Sequence, residues 1–122
     1  MLLALVHRVC GLVCYLERSY VMAKYFALHT TIGDPAAGWD FFQKGAPNLA
    51  AAMAAGQTPA KCLKTWNPFA FGRGDYVFCL WEAENPEDIM SILNESGLTD
   101  YVTADVMPVM EIDWAELALA AE

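Results

Sequence analysis

The chain has 122 residues, 57% of them apolar, a length that holds one domain with one core and a composition that excludes a disordered chain. No apolar run reaches the roughly 18 residues that would span a bilayer, and residues 1–16, the most membrane-like stretch, are cut by His7 and Arg8. The net charge of −8 is uneven: from Asp75 onward there are twelve acids and no Lys or Arg, a balance that argues against a nucleic-acid partner.

In residues 1–21, Leu2, Leu5, Val9, Leu12 and Leu16 recur at helical spacing, with His7, Arg8, Gly11, Tyr15 and Arg18 opposite. This extension reads either as an amphipathic helix that docks on the domain or as sequence upstream of a natural start at Met22. It lacks the basic n-region and small-residue cleavage site of a signal peptide. The expected location is therefore cytoplasmic, with the four cysteines reduced.

A domain is expected over residues 22–112. Residues 24–31 (KYFALHTT) are aromatic and β-favouring and end at Gly33-Asp34-Pro35, which predicts a strand. Asp34 can cap a helix starting at Pro35 and ending before Gly56, with a break near Gly45-Ala46-Pro47. Residues 60–66 predict a second strand, and residues 75–82 (DYVFCLWE) give the strongest strand signal in the chain. Asn85-Pro86-Glu87-Asp88 then starts a second helix, with Asn at the cap, Pro first and acids in the first turn; Gly97 ends it. Residues 101–112 predict a last strand, placed at a sheet edge by Pro108. Asp113 can cap a short acidic helix in residues 113–122.

The order is β-α-β-β-α-β, an α+β fold of the ferredoxin-like kind. Right-handed crossovers give an antiparallel sheet of order 4-1-3-2 with both helices on one face. Alternation along the strands sorts Phe26, Leu28, Val77, Cys79, Trp81, Val102, Ala104 and Val106 onto a helix-covered face. The other set is Tyr25, Ala27, His29, Tyr76, Phe78, Leu80, Glu82, Tyr101, Thr103, Asp105 and Met107. That mixed face is too apolar to be left in water, and pairing with a second copy would close it into a barrel. A homodimer is the expected assembly.

Candidate chemistry lies on the mixed face. His29 is the one histidine after Met22 and could serve as a general base near neutral pH, with Asp105 diagonal to it as a supporting acid. Tyr25, Tyr76, Phe78, Tyr101 and Thr103 would line the site. Glu82 is expected near Tyr25, on the order of 10 Å or more from His29, so the two form no dyad. Cys62 and Cys79 read as small buried apolar residues on neighbouring strands with no histidine nearby in sequence to activate them. His7, Cys10 and Cys14 share one helical face but lack a fourth ligand. Gly72-Arg73-Gly74 joins two strands and opens no helix, so it has no phosphate-loop geometry.

The tract from Trp66 to Glu82, followed by Asn85-Pro86-Glu87 and then Met107-Pro108-Val109, resembles short bacterial proteins of the dimeric α+β-barrel superfamily. Small uncharacterised families are the nearest look-alikes, one of which contains a nickel-binding member. The resemblance covers about residues 22–112 and implies a dimeric barrel in a superfamily of cofactor-free monooxygenases, isomerases, haem-handling proteins and binders. The nickel-binding look-alikes carry several histidines where this domain has only His29, so no metal site is carried over. The expected function is a homodimer that encloses a small apolar or aromatic ligand, with cofactor-free acid/base chemistry as an extension. Alternatives are a non-enzymatic interaction module working through the acidic second half, and a small metal-binding protein of the nickel type.

Overall fold

The computed structural model describes residues 22–121. The two readings of residues 1–21, and the His7, Cys10 and Cys14 group, lie outside the described residues. Four strands, β1 (Ala23–Thr30), β2 (Ala60–Trp66), β3 (Tyr76–Ala83) and β4 (Asp105–Pro108), form one antiparallel sheet of order β2-β3-β1-β4. Helix α1 (Pro35–Ala54) joins β1 to β2 and α2 (Pro86–Glu95) joins β3 to β4, the ferredoxin-like order. A short helix α3 (Trp114–Ala120) follows and buries no side chain. Among the described residues, no helix is long and apolar enough to cross a membrane.

The element starts follow their local chemistry. Asp34 Oδ1 accepts from the Ala36 N–H at 3.0 Å, and Pro35 supplies the first helical residue, where its missing N–H does no harm. Asp113 Oδ1 caps α3 in the same way, accepting from the Ala115 and Glu116 N–H groups. Asn85 makes no capping bond through its side chain, so α2 starts on Pro86 with Glu87 and Asp88 against the helix dipole.

Two elements differ from expectation. Helix α1 runs through Pro47 as one 20-residue helix, because the alanines that follow restore helix propensity past the interrupted bond. Strand β4 has four residues rather than twelve. The chain before it is taken up by a 3-10 turn at Leu98–Asp100 and by a single bridge, Thr31 to Val102.

The larger correction concerns β1. Directly opposed residues of an antiparallel pair share a face, and here Tyr25 opposes Trp81, Ala27 opposes Cys79 and His29 opposes Val77. Tyr25, Ala27 and His29 therefore lie under the helices, while Phe26 and Leu28 lie on the open face. This is the reverse of the sequence reading for that strand. The assignments of Val77, Cys79, Trp81 and Val106 to the covered face stand, as do those of Tyr76, Phe78, Leu80 and Met107 to the open one.

Packing explains the choice. Along the covered face the large pair Tyr25–Trp81 sits between the small pairs Ala23–Ala83 and Ala27–Cys79, so bulk and space alternate beneath Ile89, Ile92 and Leu93 of α2. Phe26 and Leu28 there would crowd the indole of Trp81. A one-residue shift of phase turns over every side chain of the strand.

Candidate functional site

The reversal splits the expected constellation across the sheet. Tyr25 and His29 are buried under the helices. Tyr101 joins them there, stacked on Phe41 of α1 with ring centroids 4.6 Å apart. Tyr76 and Phe78 stay on the open face in an aromatic row: Tyr76 to Phe78 is 6.4 Å, Phe78 to Phe26 5.9 Å and Phe26 to Trp66 6.4 Å. Asp105 opposes Leu28, so its carboxylate is exposed on the side of the sheet away from His29 and cannot support it. Thr103 holds β1 through its hydroxyl, which accepts from the Thr30 N–H at 3.1 Å. Glu82 opposes Lys24 and Lys61 in the sheet, one pair along from Tyr25 as expected, but on the opposite face.

What the structure brings together instead is a cleft between α1 and the sheet. Phe41, Phe42, Gly45, Ala46, Leu49, Ala50 and Met53 recur at helical spacing along the face of α1 that looks toward β2. Three of them are Gly or Ala, and their small size leaves space where larger side chains would close the core. The result is an apolar cavity of about 460 Å³, floored by Cys62, Thr65, Cys79 and Trp81 and ended by Leu93 and Leu98.

A smaller chamber of about 40 Å³ adjoins it, toward the start of α1. The two share Phe42, Thr65, Cys79 and Leu98 as walls. His29, 1% exposed, lines the small chamber. Its Nδ1 lies 3.1 Å from the Thr103 carbonyl oxygen, which can only accept, so Nδ1 carries the proton. The Nε2 lone pair has no hydrogen-bond partner. Burial holds the pKa of His29 below its ordinary value, outweighing the opposite pull of the Thr103 bond. The ring is thus neutral near pH 7, with a bare basic nitrogen at the edge of a void large enough for one water. Gly74 lets this end close: a Cβ there would meet Pro35 Cβ at 2.5 Å.

The floor of the wide cleft carries the other reactive groups. Strand β2 bulges between Cys62 and Lys64, so Cys62 and Thr65, three residues apart, face the same side. The Thr65 hydroxyl lies 3.5 Å from Cys62 Sγ and 3.3 Å from Cys79 Sγ. Cys62 is half-buried, not the inert apolar filler expected, and its N–H is satisfied by Met53 Sδ at 3.3 Å. A hydrogen bond from Cys79, helped by Thr65 and the Lys64 backbone, outweighs burial and lowers the Cys62 thiol to about 7. The Cys79 thiol is pushed well above the ordinary range by that same neighbour and by burial.

No family model, curated protein or solved structure matches the chain, so the site is read from its own chemistry. Among the described residues, no group of three or more His, Cys, Asp and Glu side chains is placed to hold a metal ion. Of the expected site residues, the cleft system retains His29. Sequence reasoning missed Cys62, Thr65 and the inward face of α1. One signal was present: residues 60–66 show no clean alternation, which is how a bulge looks in sequence.

Proposed function

We propose that this domain binds a small apolar or aromatic molecule in the cleft beneath α1, with His29 as proton acceptor at the blind end. The cleft carries the reading. Its volume of about 460 Å³ lies in the range of small-molecule sites, and is about three times the roughly 150 Å³ that admits benzene. Its lining is aromatic and aliphatic with few polar atoms, the composition that selects an apolar body. The neutral, unpartnered Nε2 of His29 suits a hydroxyl or acidic C–H at one end of the ligand, which is general-base chemistry without a cofactor.

Thermal shift with 2-naphthol as probe tests this. At ten times its Kd the probe adds about 1.4 kcal/mol, a rise of about 5 °C in Tm for a domain of this size. Ala50→Trp, which puts an indole into the cleft from its exposed rim, abolishes the shift. His29→Phe keeps the response to naphthalene and loses the preference for 2-naphthol. If neither probe stabilises the wild type, the ligand reading is wrong, and an interaction module working through the acidic second half becomes the better account.

The aromatic row on the open face supports a second element of the reading, pairing with another copy of the chain. Tyr76 and Trp66 are both more than 40% exposed there, beside the half-buried Phe26 and Phe78. A contiguous aromatic patch of this kind marks an interaction surface. Phe78 lies on a central strand within it, and Phe78→Asp places an unpaired charge at the interface. Sedimentation at micromolar concentration should give a dimer for the wild type and a monomer or aggregate for the variant. A soluble wild-type monomer refutes this element.

A further inference from the structure

We propose that Cys62 and Cys79 form a peroxide-reactive dithiol, with Cys62 as the attacking sulfur, Cys79 as the resolving one and the cleft as the route of access. Three features of the geometry support this. The bulge in β2 turns Cys62 toward the cleft, on the same side as Thr65 and diagonal to Cys79, which Thr65 directly opposes. Both sulfurs reach one hydroxyl, Thr65 Oγ1, at 3.5 and 3.3 Å. The two differ in access, Cys62 half-buried at the cleft wall and Cys79 buried behind it.

The polar surroundings favour a thiolate at Cys62. The Thr65 hydroxyl can donate its single proton to a Cys62 thiolate at 3.5 Å. Against this stands the Lys64 carbonyl, at 3.6 Å from Sγ, which accepts only from the neutral thiol. No carboxylate lines the cleft to oppose a thiolate there. The low pKa of Cys62 agrees with this arrangement, and the raised pKa of Cys79 keeps that sulfur protonated as the donor. The reaction needs no ligand in the cleft, so it stands apart from the binding proposal.

The first step is attack of the Cys62 thiolate on one oxygen of hydrogen peroxide or an alkyl hydroperoxide. The S–O bond forms, the O–O bond breaks, and hydroxide or alkoxide leaves and takes a proton from solvent. Sulfur is oxidised by two electrons and the peroxide is reduced by two. In the second step Cys79 attacks the sulfenic sulfur. The S–S bond forms, the S–O bond breaks, and the departing hydroxide takes the Cys79 proton to leave as water.

Hydrogen peroxide itself is the probe. Peptide mapping after differential alkylation should show a Cys62–Cys79 disulfide in the oxidised full-length chain, formed ahead of modification at Cys10 or Cys14. In Cys79→Ser, Cys62 should instead accumulate as a sulfenic acid that dimedone traps. In Cys62→Ser, Cys79 should give no adduct. The rate of Cys62 alkylation by iodoacetamide should inflect near pH 7, rather than near the pH of about 8.5 expected of free cysteine. Thr65→Val should raise that inflection without preventing folding, since the two side chains have similar volume. Three results would overturn the proposal: primary oxidation at Cys79, a Cys62 sulfenic acid that persists in the wild type, or an alkylation inflection at the value for free cysteine.

Discussion

The two faces of the sheet are both rich in apolar residues and have opposite characters. On the covered face, alanine and cysteine alternate with Tyr25 and Trp81, and the small residues of α1 leave a cleft over β2 and β3. On the open face, Phe26, Trp66, Tyr76 and Phe78 form a row of tilted and stacked rings, with Leu80 buried beside them. Hydrophobicity alone would put the aromatic row inside. The structure puts mixed sizes inside, because helices pack against relief rather than against a uniform layer. The reactive groups, His29, Thr65, Cys62 and Cys79, follow the relief.

The largest effect expected from breaking this contrast is Trp81→Ala. Removing the indole from the covered face should lower unfolding free energy by about 3–5 kcal/mol, read by urea titration. The same truncation on the open face, Trp66→Ala, should lower it by about 1 kcal/mol or less when measured at concentrations too low for association. If the two changes are equally severe, the contrast between the faces is wrong. Next in size, Gly74→Ala forces a methyl group to 2.5 Å from Pro35 and should cost about 1–3 kcal/mol by pushing the start of α1 off the sheet.

The smallest effect is a slope rather than a step. Burial makes folded His29 hold its proton less tightly than the unfolded chain does. As pH falls below 6.5, its ordinary value, the unfolded state binds more protons, and stability drops until the folded pKa is reached. Above that window the contribution is constant. The urea midpoint of the wild type should therefore fall with acidification below pH 6.5. In His29→Gln the slope should be shallower across the same range, and an unchanged slope would mean that His29 titrates as a solvated side chain.

Much of this architecture could be read from the chain. The caps at Asp34-Pro35 and Asn85-Pro86 placed both long helices, and residues 75–82 placed a central strand with its faces correctly sorted. The phase of β1 could not be read, because Tyr25-Ala27-His29 and Phe26-Leu28 are both plausible core sets. Which set goes inside depends on the partner: Trp81 needs small neighbours, and only the register between strands shows which residues those are. That single choice carried His29 from an expected interface to the wall of the small chamber under the helices and separated it from Asp105. The bulge in β2 escaped for a related reason. A strand with no clean alternation looks like noise until its partner shows that Cys62 opposes Trp81 and Thr65 opposes Cys79, with one residue to spare.

That spare residue has a consequence for how copies of this chain can meet. Strand β2 forms one margin of the sheet and β4 the other, and each margin carries backbone groups that could template a further strand. The irregularity in β2 interrupts the repeat that an incoming strand would have to match, and Lys61 and Lys64 flank the interruption. At the opposite margin Pro108 withholds a donor from a strand only four residues long. Growth by ribbon extension, the geometry of fibrils, is blocked at both ends. A bulge that turns a cysteine inward therefore also works against aggregation along that edge of the sheet.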